Sequence, residues 1–183
     1  MNELVFFLEE ESAKVMLQSI VAKLQLEQQD IATRYIVFEG KQHLDQNLER
    51  KLRGYVNPQA RFIVLRDQDG SDCKTLKSKL AAICEKARKT AVIRIACHEL
   101  EAFYLADLKA VELGLGISSL ASKQHQAKYR NPDSLPNAAQ ELEKLTAHRY
   151  QKIAGSRAIA PHLDLTNTRS ASFRNLVSAI RKS

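Results

Sequence analysis

Three carboxylates within six positions make the stretch from Arg61 to Asp72, Arg-Phe-Ile-Val-Leu-Arg-Asp-Gln-Asp-Gly-Ser-Asp, the first place to look for chemistry. Asp67 and Asp69 are two apart, so on extended backbone both side chains leave from one face, where like charges repel unless a cation lies between them. A divalent cation meets that need. Hard oxygen donors suit Mg²⁺ or Mn²⁺, which commonly bind through one or two carboxylates plus substrate phosphate oxygens. The bland alternative is a plain turn, since Asp, Gly and Ser are common turn formers. A second acidic run favours the metal: Leu4 to Leu8, Leu-Val-Phe-Phe-Leu, leads straight into Glu9, Glu10 and Glu11.

Both acidic runs follow short apolar stretches of the kind that form buried strands, and in a parallel sheet the two ends lie on one edge. Acids far apart in sequence can then share one ion. A further strand over Ala91 to Cys97 ends in His98-Glu99-Leu100-Glu101. On extended backbone Glu99 and Glu101 face one way; in a helix they diverge by about 200 degrees and only one can reach the edge. Thr33 to Phe38 reads as another strand. Between the strands, helices are expected from Ser12 (with Val15, Met16, Ile20, Val21 and Leu24 inward), over Lys41 to Leu52, and from Ser71 or Asp72 (with Leu76, Leu80, Ile83 and Cys84 inward). From Val111 the pattern turns to Gly and Ser, a breaker at Asn131 to Pro136, and helices at Ala138 to Ala147, Tyr150 to Ala160 and around Phe173, Leu176, Val177 and Ile180. The expected fold is α/β: a mostly parallel, Rossmann-like sheet of about four strands flanked by helices (residues 1–110), with a helical, basic C-terminal extension (residues 111–183) packed on it as one domain.

Of 183 residues, 44% are hydrophobic and 27% charged, as in ordinary globular proteins. No apolar run approaches the roughly 20 residues of a membrane helix and the start lacks signal-peptide features, so a cytoplasmic protein without membrane attachment is expected. The three cysteines, Cys73, Cys84 and Cys97, show no close pairing and read as reduced thiols. Net charge is +7, and residues 147–183 hold seven Lys or Arg against the single acid Asp164. A basic part beside an acidic metal site suits a phosphodiester substrate, with Lys152, Arg157 and Arg169 as candidate nucleic-acid contacts, although a simply solvated basic surface would look the same. There is no Gly-rich phosphate loop, so the chain should not hydrolyse ATP by itself.

Asp67-Gln-Asp-Gly-Ser resembles the nucleophile motif of haloacid-dehalogenase phosphatases, but that family carries it on its first strand and supplies a downstream Asp pair that this sequence lacks. A strand ending in Glu, followed two strands later by Asp-x-Asp, resembles the Toprim domain of topoisomerases, DnaG-type primases and OLD nucleases, with Glu9, Asp67 and Asp69 in the matching places. Toprim proteins usually have Gly where this chain has Glu10, which leaves open whether Glu9, Glu10 or Glu11 binds metal. Phe7-Leu-Glu-Glu-Glu-Ser12, Phe38-Glu-Gly-Lys41, Val64-Leu-Arg-Asp-Gln-Asp69, Glu99-Leu-Glu-Ala-Phe-Tyr-Leu-Ala-Asp107, Lys128-Tyr-Arg-Asn-Pro-Asp133 and Ala158-Ile-Ala-Pro-His-Leu-Asp164 together resemble an RloG-like family of bacterial proteins that carries a domain-of-unknown-function label and is often encoded beside an AAA-type ATPase. The resemblance implies a Mg²⁺-dependent (or Mn²⁺-dependent) nuclease acting on DNA or RNA, with metal held by Glu9, Asp67 and Asp69 and with Glu99 or Glu101 as further ligand or proton acceptor. It also implies the effector role in an antiviral, ATPase-associated defence pair. The alternative is a non-catalytic regulatory or adaptor subunit bound to the ATPase or to nucleic acid; homo-oligomerisation is left open.

Overall fold

The computed structural model describes residues 2–182. Strands β1 (Asn2–Leu8), β2 (Ile31–Val37), β3 (Ala60–Asp67) and β4 (Ala91–Ala96) form one sheet in the order β2-β1-β3-β4, every neighbouring pair parallel. Leu8 is in register with Val37 on one side and Leu65 on the other, so β1, β2 and β3 finish at one edge. Chain order reverses between β1 and β3, and in open parallel sheets a crevice forms outside the carboxyl ends at such a reversal.

Continuous apolar runs give the two central strands two buried faces. Leu4, Phe6, Leu8, Ile63 and Leu65 pack on one side with Met16, Leu17, Ile20 and Val21 of α1 (Glu11–Leu24). Val5, Phe7, Phe62 and Val64 pack on the other with α2 (Lys41–Arg53) and α3 (Cys73–Lys86). Helix α2 is otherwise polar and buries only Leu44, Leu48 and Leu52, one residue per turn. Asp72 caps α3 by accepting from the Thr75 N–H at 2.8 Å, one of the two starts expected.

Beyond β4 run α4 (Ala102–Leu105), α5 (Leu108–Leu115), α6 (Ala127–Arg130), α7 (Ala138–Leu145), α8 (Lys152–Ile159) and α9 (Ala171–Arg181). They cover the α1 side of the sheet: Phe103, Tyr104, Tyr129, Leu142, Ile159, Phe173 and Ile180 belong to the same buried cluster as Phe6 and Leu65. Phe103 and Phe173 meet at a ring distance of 5.2 Å. Two expected caps differ from the structure. Glu10, with no side-chain capping bond, precedes α1, and Ser12 lies inside the first turn, buried with its hydroxyl unpartnered among the described residues. Asn137 precedes α7 but does not cap it with its side chain.

Candidate functional site

At the carboxyl edge, Glu9 turns from the end of β1 toward β3, where its Oε2 accepts the Asp67 N–H at 3.2 Å. The two acids, 58 positions apart in sequence, are thus neighbours because β1 and β3 pair directly. Asp67, the last residue of β3, faces the charges of Glu101, Glu9 and Glu10, with the Leu100 N–H pulling the other way. Burial, reinforced by those three carboxylates, pushes its own carboxyl well above the usual range. Glu9 is also pushed up, by burial first and then by Asp69 and Glu10, against the lowering pull of the Asp67 N–H and Arg66.

Asp69 departs from the extended geometry expected of it. Its φ of 51° is left-handed, a conformation Asp tolerates better than most residues, as the chain turns with Gln68 N–H donating to Ala96 O and Asp69 N–H to His98 O. Asp67 and Asp69 therefore do not leave one face of a strand. The Asp69 carboxylate instead pairs with Lys41 Nζ at 2.9 Å, and its charge still reaches Glu9.

Glu99 and Glu101 part company, as a chain already turning requires. His98 takes a left-handed φ of 59° and Glu101 is αR. Glu99 accepts the Ala139 N–H at 2.7 Å, doing for the first turn of α7 what Asn137 does not. Glu101 is 1% exposed; its Oε1 accepts from the Tyr150 hydroxyl at 2.9 Å and its Oε2 has no partner among the described residues. Burial raises its carboxyl, while Lys152 and the Tyr150 hydroxyl pull the other way. Lys152, at the start of α8, lies 3.2 Å from Glu10 Oε1. Burial alone would lower its ammonium, but Glu10, Glu101 and Asp67 outweigh that and it is held protonated. Arg157 is exposed on α8, and Arg169 donates to Ala106 O at 3.3 Å.

Among the described residues no three His, Cys, Asp or Glu side chains already stand close enough to hold a metal ion. By donor chemistry, though not by their present spacing, the residues fit a hard cation. The donor set consists of hard carboxylate oxygens from Glu9, Glu10, Asp67 and Glu101, it disfavours its own full ionisation, and it includes the orphaned buried oxygen of Glu101.

Lys41, Arg66, Asp45 and Tyr150 escape the sequence reading. Arg66 gives a signal, a charge directly after the apolar run of β3; Lys41 follows Gly40 at the end of β2 and becomes meaningful only once β2 is known to lie beside β1. Tyr150, 49 positions from Glu101, gives none.

The model of the family described as Domain of unknown function (DUF4276) matches residues 8–181. The chain belongs to that family. No curated protein matches the sequence. Among solved structures, the C-terminal region of the Burkholderia pseudomallei OLD protein is similar over 100% of this chain and 98% of that one, with a TM-score of 0.60 and 16% identity. That likeness is one of fold. This DUF4276 member thus shares with that region the α/β arrangement expected, a four-stranded parallel sheet flanked by helices with a helical C-terminal part. No helix among the described residues is long and apolar enough to cross a membrane.

Proposed function

We propose that this protein is a nuclease-like Toprim domain that cuts nucleic-acid phosphodiesters with Mg²⁺ or Mn²⁺. The observation that carries the reading is the Glu9 carboxylate on the Asp67 N–H at the sheet reversal, with the charges of Glu10 and Glu101 facing Asp67. In this reading Glu9 and Asp67 hold the ion, with Glu10 or Glu101 as further oxygen donors and Asp69 at the margin beside Lys41. A bound divalent ion supplies Lewis-acid polarisation of the phosphate and a more acidic water. The chain's own residues do the rest. Lys41 and Lys152 bracket the acids and orient the substrate's phosphates, with Arg157 and Arg169 outside them. Glu101, steadied by Tyr150, accepts the proton of the attacking water. Glu99, engaged at α7, stands as its alternative in that role only if it leaves Ala139. The RloG-like resemblance adds an AAA-type ATPase as partner and antiviral defence as setting.

The test is incubation of the pure protein with plasmid, single-stranded DNA and tRNA in Mg²⁺, Mn²⁺ or EDTA. Cleavage by the wild type should vanish in Glu9→Ala and Asp67→Ala variants that melt normally and weaken in Asp69→Ala; unchanged cutting by the first two would refute the assignment.

A second reading, a non-catalytic adaptor for an ATPase or for nucleic acid, is favoured by the two ammonium groups that already neutralise Asp69 and Glu10. Binding of the same nucleic acids without metal-dependent products would select it.

A further inference from the structure

Arg66, next to last in β3, sends its side chain to the sheet face opposite Asp67 and is only 6% exposed. There it stands between two acids. Its Nε is 3.8 Å from Glu9 Oε2, and its Nη1 is 3.2 Å from Asp45 Oδ1 on α2. The other oxygen of Asp45 takes Lys79 Nζ of α3 at 2.6 Å. A chain of alternating charges thus runs from solvent, where Lys79 is 56% exposed, through two helices to the tip of β1. Among the described residues neither Arg66 Nε nor Nη1 achieves hydrogen-bond geometry, nor does Asp45 Oδ1.

Stability does not account for this arrangement. A buried guanidinium with unmade hydrogen bonds costs several kcal/mol, and replacing buried ion pairs by well-packed apolar residues is often neutral or stabilising. The surroundings are already apolar: Phe62 and Val64 of the same strand face the same side, with Leu44 and Leu76 from the covering helices. What an apolar residue could not do is act on Glu9.

We propose that Arg66 is a positioning residue. Braced by Asp45 and Lys79, it holds the Glu9 carboxylate at the Asp67 end of the sheet, ready for a divalent cation. The inference rests on the proposed function, in which Glu9 and Asp67 take such an ion; Arg66 itself touches neither ion nor substrate.

Mn²⁺ titration of the full chain, followed by the electron paramagnetic resonance signal of free Mn²⁺, tests it on wild type, Glu9→Gln, Asp45→Asn, Arg66→Met, Arg66→Lys and the Asp45→Asn/Arg66→Met double variant, each with a thermal melt. Asp45→Asn should weaken Mn²⁺ binding about 10-fold although Asp45 is no ligand, the low end of the effect of outer-shell partners. Arg66→Met should weaken it at least as much, and Arg66→Lys should restore part. Because Asp45 acts only through Arg66, the double variant should bind no more weakly than Arg66→Met alone. Wild-type affinity in Arg66→Met, or additive losses in the double variant, overturns the role of Arg66 while leaving the cation site standing. No Mn²⁺ bound by wild type overturns both. If Arg66→Met fails to melt cooperatively, Asp45→Asn and Lys79→Ala carry the comparison: weakened binding supports the brace and unchanged binding overturns it.

Discussion

Asp67 lies among three carboxylates, and its raised affinity for protons carries a stability consequence with a definite sign. A carboxyl whose folded value exceeds its unfolded one binds more protons in the native state, so its contribution is complete below the unfolded value and is lost as pH rises through the folded one. Glu9 and Glu101 act in the same direction. In EDTA, the melting temperature should therefore fall as pH climbs from about 4 toward neutrality. Asp67→Asn, which keeps the shape and drops the charge, should melt about 2–4 °C higher than wild type at pH 7, the shift that roughly 1 kcal/mol produces in a domain of this size. A lower melting temperature in that variant would show that the neighbouring carboxylates do not burden Asp67. The two nearby glutamates should separate cleanly: Glu99→Gln should cost stability at α7 and leave Mn²⁺ affinity unchanged, whereas Glu101→Gln should weaken Mn²⁺ binding. The same loss of affinity in both would contradict the geometry that sends only Glu101 inward.

Helix α8 ties packing to the site. Gly155 stands against the Tyr150 ring so closely that any Cβ there would collide with it, and that ring carries the hydroxyl bonded to Glu101. Gly155→Ala should displace Tyr150 and weaken Mn²⁺ binding along with stability. Tyr150→Phe, which keeps the ring in place, should cost about 1–3 kcal/mol in denaturant unfolding for the buried carboxylate left without its donor. If Gly155→Ala melts normally and binds Mn²⁺ as wild type does, the coupling is absent. Elements of this kind mark the limit of what the sequence discloses. The runs Leu4 to Leu8 and Phe62 to Leu65 announce themselves, because strands buried on both faces are apolar without a break, and their acidic ends follow directly. The caps are harder to read: Ser12 and Asn137 have the right chemistry for an N-terminus, but Ser12 falls inside the first turn of α1, and at α7 a glutamate 40 positions away satisfies the backbone. Asp69 is misjudged for a related reason. Spacing of two implies a shared face only on extended backbone, and the strand has ended before it.

At the scale of the whole molecule, the helices after β4 close over one side of the sheet and share a single buried cluster with it. Phe173→Ala, on α9, should therefore lower stability by about 3–5 kcal/mol, with the sheet and the C-terminal helices unfolding in one transition. Two resolved transitions in circular dichroism would show that the parts are independent. The charge layout also has a measurable form. If nucleic acid binds over the acidic edge, replacing both Lys41 and Lys152 by Ala should reduce the slope of log affinity against log salt by about 2, roughly 0.9 for each phosphate no longer neutralised. An unchanged slope would put the binding face elsewhere, among cations such as Arg157 and Arg169.

Tyr150 and Lys152 come late in the chain, while the acids they steady come at positions 10 and 101. During synthesis, a polypeptide still short of residue 150 already contains every carboxylate of the cluster but neither the phenol nor the ammonium that quiets it. The ribosome thus delivers the site's acids well before these two restraints.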